Sequence, residues 1–255
     1  MSLRKDWYLW RLVATALSFT LFGLGGLILG YVIFPLIALF SADAQARTRR
    51  CRLLVHYSFR LFIGIMALMG VLTWSVHGRA ALGKPGTLVV ANHPSLIDIV
   101  FLVSMIPNAC CIVKSELYRN FFTRGPVSWA GYIANDSPEQ LIEDCAREMV
   151  QGATLVVFPE GTRSVGGQPL RFKRGAAYVW LRTRSELVLA SIVVSPPTLA
   201  KNEKWYQVPT RRPCFSLDIC RADEAGVDQI GDEGQIDARS LSRMWQAYFE
   251  QEIKL

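Results

Sequence analysis

A histidine and an aspartate stand five positions apart in the run Asn92-His93-Pro94-Ser95-Leu96-Ile97-Asp98. An imidazole and a carboxylate at that spacing, where a turn enters a helix, can hydrogen-bond. The carboxylate then fixes the ring tautomer and stabilises the imidazolium, while the other ring nitrogen takes a proton from an attacking hydroxyl. The same residues also read as a helix start, because Ser95-x-x-Asp98 has the pattern of a capping box. A second polar run, Phe158-Pro159-Glu160-Gly161-Thr162-Arg163-Ser164, sets a glycine that permits a tight backbone path beside Glu160, followed by a guanidinium whose planar fork matches phosphate. Its plain alternative is a surface turn in which Glu160 and Arg163 pair with each other. Phe172-Lys173-Arg174-Gly175 places two cations at a helix start, where they oppose the helix dipole unless an anion binds between them; two solvated heads are the other reading. Lys114 ends an apolar run and is either a further cation for the same ligand or an ordinary salt-bridge partner.

These runs need elements to position them. Short β-branched segments at 87–91, 110–113, 154–158, 187–194 and 214–219 are expected strands, several apolar on both faces and so interior to a sheet. Between them, 96–105, 138–151 and 175–183 have helical spacing and length. This alternation implies an α/β fold with a mostly parallel central sheet flanked by helices. In such sheets functional groups gather beyond the carboxyl ends of the strands, so His93, Lys114 and the 160–163 loop converge if their strands are neighbours. The stretch 221–237 is acidic and reads as a loop, and 240–255 as a terminal amphipathic helix with Leu241, Met244, Trp245 and Tyr248 inward.

No residue from 12 to 42 is charged, which is long enough to cross a bilayer, although Gly23, Gly25, Gly26, Gly30 and Pro35 are expected to interrupt the helix. Residues 53–74 are apolar apart from His56 and Arg60, leaving a run too short for a comfortable span and better suited to a re-entrant or interfacial helix. Two arrangements lead, a two-helix hairpin dipping into one leaflet or one true span plus an interfacial helix, and a fully soluble protein with these segments as core helices is the third. The chain has 255 residues, 51% of them hydrophobic and 19% charged, enough for one core and an appendage. The expected division is a membrane-associated two-helix segment at 1–76 and a catalytic domain at 77–255.

The net charge is +7, and Arg4, Lys5, Arg11, Arg47, Arg49, Arg50 and Arg52 flank the first apolar stretch, which suits anionic headgroups better than a nucleic-acid groove. Six cysteines without C-x-x-C spacing, and histidines that do not cluster with them, point to free thiols in a reducing compartment and to no metal site. The glycine-rich nucleotide loops and the Gly-x-Ser-x-Gly elbow are absent from the sequence, which disfavours nucleotide binding and serine hydrolysis.

In combination these motifs resemble the glycerophospholipid acyltransferase family that includes 1-acyl-glycerol-3-phosphate acyltransferases, the PlsC-like enzymes. The family's His-x-x-x-x-Asp motif matches His93 and Asp98, its Phe-Pro-Glu-Gly-Thr-Arg-Ser motif matches 158–164 in full, and 172–175 and Pro196 resemble its later blocks. The resemblance implies transfer of an acyl group from a thioester, on acyl carrier protein or coenzyme A, to a lipid hydroxyl, with no further cofactor. It implies His93 as base, Asp98 as its partner, Lys114 and Arg163 as phosphate contacts, and Glu160, Gly161 and Thr162 in the pocket, with Lys173 and Arg174 as additional substrate contacts. It also implies membrane lipids as partners and the cytoplasmic face of the inner membrane, if the source is bacterial, as location. The chain departs from the family at Ser137, where relatives often carry an arginine that helps hold the acceptor. The same chemistry on an amino-lipid or specialised lipid, and a catalytically silent lipid-binding protein, are the alternatives.

Overall fold

The computed structural model describes residues 7–228 and 237–253. The expectations for Arg4 and Lys5, for 229–236 of the acidic loop and for the last two residues of the terminal helix lie outside them.

Helix α1 (Tyr8–Ile28) continues through a π-helical turn (Leu29–Ile33) into α2 (Phe34–Leu39), and α3 (Ala44–Leu68) returns alongside them. The glycines do not interrupt this path. Two of them lie where other backbone comes close: a Cβ on Gly26 would meet the Phe122 carbonyl oxygen at 2.7 Å, and one on Gly30 would meet the Gly125 Cα at 2.8 Å. Pro35 sits in the first turn of α2, where its missing N–H and fixed φ are tolerated. Asp43 caps α3 by accepting from the Ala46 N–H at 2.7 Å. Both helical stretches, Tyr8–Leu39 and Ala44–Leu68, are long and apolar enough to cross a membrane by length and composition.

Seven strands follow: β1 (Thr73–His77), β2 (Leu88–Ala91), β3 (Ala109–Val113), β4 (Ile133–Ala134), β5 (Thr154–Val157), β6 (Leu187–Ser195) and β7 (Cys214–Arg221). They form one sheet in the order β1-β7-β6-β2-β5-β3-β4, parallel except where β6 meets β7. The helices between and after them are α4 (Asp98–Val103), α5 (Glu116–Arg119), α6 (Arg124–Trp129), α7 (Pro138–Val150), α8 (Gly175–Thr183) and α9 (Ala238–Ile253). Five strands stand where the β-branched runs predict them. β1 was expected as the end of an apolar helix, and its residues extend the sheet by pairing with β7 instead. The expected division at residue 76 therefore falls inside a strand.

Alternating side chains send the sheet's two faces into two cores. Val89, Ala91, Cys111, Val156, Val188 and Ala190 face one, and Leu88, Val90, Cys110, Leu155, Leu187 and Leu189 face the other. α4 and α3 close the first, with Val55, Phe62, Ile63 and Met66 of α3 buried in it. α7, α8 and α9 close the second; Leu241, Trp245 and Phe249 recur every fourth residue along α9, and each is fully buried. Burying a side chain of this size contributes roughly 1.5–3 kcal/mol, which is why so short a helix stays docked. Arg52, 3% exposed, ties α3 to the ends of the layer beyond it, donating to the carbonyls of Ala130 and Gly131 and pairing with Glu148 of α7 at 2.8 Å. All six cysteines are free thiols.

Candidate active site

β2, β5 and β3 are adjacent and parallel, with Val90 beside Val157 and Val156 beside Cys111. Their following segments, 92–98, 158–164 and 114–116, accordingly leave the same edge of the sheet side by side. β4 pairs with the end of β3 and sends Asn135, Asp136 and Ser137 to that edge as well. Asp136 accepts a hydrogen bond from the Ser115 hydroxyl there, and Ser137 stands exposed at the start of α7.

The imidazole and the carboxylate meet. His93 Nδ1 lies 2.9 Å from Asp98 Oδ2, and the same oxygen accepts the Ser95 backbone N–H at 2.6 Å. The Ser95 N–H bond tightens the turn that leads into α4, but the Ser95 hydroxyl is buried without a partner among the described residues and α4 has no side-chain cap, so only half of the expected capping box forms beside the pair. In the tautomer whose Nδ1–H donates to the carboxylate, Nε2 is the acceptor, on a side chain that is 18% exposed. Asp98 itself is wholly buried, and burial raises its carboxyl from 3.8 to about 6 against the opposing pull of His93. Phe158 stacks on the imidazole with centroids 4.2 Å apart, restricting the ring's rotation.

The backbone around His93 is gripped from three sides. Glu160 Oε1 accepts the His93 N–H at 2.8 Å and the Ser164 hydroxyl at 3.0 Å, while the Ser164 N–H donates to the His93 carbonyl at 2.7 Å. The Asn92 side-chain amide donates to the Ile192 carbonyl and accepts from its N–H, prolonging the β2–β6 ladder by one residue. The Leu199 carbonyl accepts from the Leu96 N–H at 3.0 Å and from Arg163 Nη1 at 2.8 Å, and the Ala200 carbonyl also accepts from Arg163 Nη1. Burial raises the Glu160 carboxyl from its ordinary value, opposed by the His93 N–H bond.

Glu160 and Arg163 do not form the surface pair considered from sequence. One Arg163 nitrogen holds the 199–200 segment, and among the described residues its Nε and Nη2 have no hydrogen-bond partner. Gly161 adopts φ +68°, a conformation that favours glycine, and the Lys173 side chain crosses the loop there, its Nζ 3.0 Å from where a Cβ would begin. The Lys173 N–H is bonded to the Pro159 carbonyl at 2.8 Å, which fixes this crossing. The fold therefore brings His93, Asp98, Glu160, Gly161, Arg163 and Lys173 together. Lys114 is exposed on the same edge, Thr162 is exposed on the loop, and Arg174 is exposed at the start of α8 without joining the cluster's hydrogen bonds. Sequence reasoning missed the roles of Phe158, Ser164, Leu199 and Ala200; the first two lie inside the motif it read, and the last two act only through carbonyls, which carry no residue signature.

The family model described as Acyltransferase matches residues 74–198, the stretch that contains the side chains of this cluster, with the Leu199 and Ala200 carbonyls just beyond it. Residues 74–198, just under half of the chain, thus match the acyltransferase family. It is 38% identical over 99 residues to a 1-acyl-sn-glycerol-3-phosphate acyltransferase of Helicobacter pylori, covering 36% of this chain and 42% of that protein. It is 30% identical over 155 residues to the Saccharomyces cerevisiae protein of the same name, covering 57% of this chain and 50% of that one. These matches span about half of the relatives' length or less. The crystal structure of the 1-acyl-sn-glycerophosphate acyltransferase PlsC from Thermotoga maritima superposes with a TM-score of 0.71 over 96% of both chains at 16% identity, so the fold is shared along nearly the whole chain.

Proposed function

We propose that this acyltransferase moves a fatty acyl group from the thioester of acyl carrier protein or coenzyme A to the hydroxyl of a 1-acyl-glycerol-3-phosphate-like lysolipid at a membrane. The observation that carries the reading is the His93–Asp98 pair, with Nδ1 engaged and Nε2 open at the sheet edge where Arg163 and Lys173 also lie. In the reaction Nε2 takes the acceptor's hydroxyl proton as its oxygen attacks the thioester carbonyl. The buried Asp98 carboxylate stabilises the resulting imidazolium. The tetrahedral intermediate expels the thiolate, which the imidazolium reprotonates, returning His93 to its starting state.

Arg163 Nε and Nη2, Lys173 and Lys114 are the cations for an acceptor phosphate. Glu160, Gly161 and Thr162 shape the loop that carries them, with Arg174 at its margin. The membrane location rests on the two apolar helical stretches, and a cytosolic thioester donor places the site at the cytoplasmic face. A second acceptor reading, a lysolipid with an amine or no phosphate, is favoured by the Asp136 carboxylate and Ser137 at the same edge.

The test is purified enzyme with labelled acyl thioesters against a panel of lysolipids, read by mass spectrometry. Acyl transfer to the phosphate monoester above neutral and amino acceptors is expected, and His93→Ala should lower kcat by about 10²-fold or more. An unimpaired rate in that variant refutes the base assignment.

A further inference from the structure

Residues 200–203 form a fixed turn, and Arg163 is one of its struts. The Ala200 carbonyl accepts from the Glu203 N–H at 3.1 Å and from Arg163 Nη1 at 2.9 Å, while the Glu203 carboxylate bends back to accept the Ala200 N–H at 2.9 Å. Lys201 and Asn202 fill the two central positions. Asn202 takes φ +69°, left-handed as the second central residue of a type II turn is, and asparagine tolerates that conformation better than most residues do. Leu199 is left-handed too, at φ +53°, where a leucine is disfavoured. Its burial and the two bonds its carbonyl accepts, from the Leu96 N–H and Arg163 Nη1, hold it there. Backbone held against its own preference marks a position that its surroundings over-determine, and here those surroundings are the 92–98 turn and Arg163.

The tip of this turn is Lys201. It is exposed, and among the described residues it forms no ion pair. The nearest acid in sequence, Glu203, is engaged by the Ala200 N–H. Glu160, which grips the His93 N–H, does feel the ammonium: burial raises its carboxyl, and Lys201 is among the groups that draw it down again. The ammonium is thus on the side of the turn that faces the site.

Arg163 sets the geometry of what this cation can reach. Nη1 is occupied by the 199–200 carbonyls, whereas Nε and Nη2 form the edge of the guanidinium that takes two oxygens of a phosphate side by side. A phosphate diester has only two terminal oxygens and one charge, and the fork satisfies both. A monoester near neutral pH carries a third terminal oxygen and most of a second charge, which the fork leaves over. The residue next to Ala200, whose carbonyl the same guanidinium holds, is Lys201.

We infer that Lys201 is a specificity-determining residue of the acceptor site, its ammonium taking the third oxygen of a phosphate monoester whose other two lie on the Arg163 fork. This assignment rests on the acyl-transfer reading above and adds to it a residue that neither polar run contains. It makes the site select monoester headgroups over diester and uncharged ones.

The test is steady-state acyl transfer by the full chain in mixed micelles, with 1-acyl-glycerol-3-phosphate, 1-acyl-glycerophosphoglycerol or monoacylglycerol as acceptor and the thioester varied in a separate series. Lys201→Ala should raise the KM for the monoester about tenfold, the loss of one charge-assisted contact, with little change in kcat, in the KM of the thioester or in melting temperature. The diester and the uncharged acceptor should respond little, and Lys201→Arg should restore most of the monoester KM. Arg163→Ala already frees the turn, so adding Lys201→Ala to it should raise KM by much less than in the parent chain. An unchanged monoester KM in Lys201→Ala overturns the assignment, as does a rise shared equally by all three acceptors. A rise confined to the thioester gives the ammonium to the donor and overturns it as well, and fully independent effects in the double variant overturn the tie through Arg163. A parent chain inactive toward every acceptor refutes the acyl-transfer reading itself, whereas an active parent with an unaffected Lys201→Ala variant refutes this assignment alone.

Discussion

Asp98 illustrates how one oxygen settles several questions at the residue scale. Its Oδ2 holds the Ser95 N–H and His93 Nδ1 at once, and its burial raises the carboxyl to about 6. Below that pH the carboxylate that stabilises the imidazolium is lost, so kcat/KM should fall as pH drops through about 6, a limb belonging to the pair rather than to either residue. The stability effect has the opposite sign. An acid whose folded value is raised takes up its proton in the folded chain before the unfolded chain does, so Asp98 favours folding increasingly as pH falls from about 6 toward 3.8. Asp98→Asn should flatten that part of the melting-temperature profile.

Glu160 makes a second residue-scale contrast, because one carboxylate oxygen accepts both the His93 N–H and the Ser164 hydroxyl. Glu160→Gln keeps an acceptor there and should retain the melting temperature and most of kcat. Glu160→Ala leaves both donors unsatisfied and should cost about 1–3 kcal/mol in stability, together with much of kcat, measured by denaturation and steady-state kinetics.

Among the elements, the π-helical turn (Leu29–Ile33) and α6 are a pair whose contact depends on missing side chains. Gly30 and Gly125 meet backbone to backbone, and a Cβ at either would stand under 3 Å from the other's Cα. Gly30→Val should therefore shift the π-helical turn away from α6 and lower stability by about 1–3 kcal/mol, the cost of overpacking, whereas the same change at Gly25, where a Cβ meets nothing within 4 Å, should have little effect. The measurement is a paired thermal melt. Glycine in a long apolar run reads as an interruption because its propensity is poor; here close packing outweighs propensity. β1 shows the converse. Its residues continue an apolar run and so look helical by hydropathy, yet the free edge of β7 pairs with them.

For the molecule as a whole, the N-terminal helices are both an exposed apolar surface and a structural layer. Only 11% of the most apolar window of Tyr8–Leu39 is buried, against 39% for Ala44–Leu68, so the second does far more core work than the first. Removal of residues 1–76 would strip α3 and most of β1 from the sheet, uncovering the face that carries Val89, Ala91, Val156 and Val188. The expected outcome is an insoluble or molten product, detected by loss of near-ultraviolet circular dichroism and of a cooperative melt. A soluble, cooperatively folding 77–255 fragment would show that the layer is dispensable.

From the sequence alone came the parallel α/β class, five strands, the terminal helix and the polar runs at 92–98 and 158–164. Each is written in local signals: β-branched runs, helical periodicity, and residue types that only particular turns and ligands require. What the tertiary structure decided is non-local. Which strands are neighbours made 92–98, 114–116 and 158–164 share an edge; whether His93 meets Asp98, caps a helix or does both was a question of distance; and the carbonyls of Leu199 and Ala200 became partners of Arg163 through backbone, which any residue could supply. Which side of the apolar helix packs on the domain was likewise non-local, because hydropathy records how much apolar surface a segment has and not which side of it is already covered.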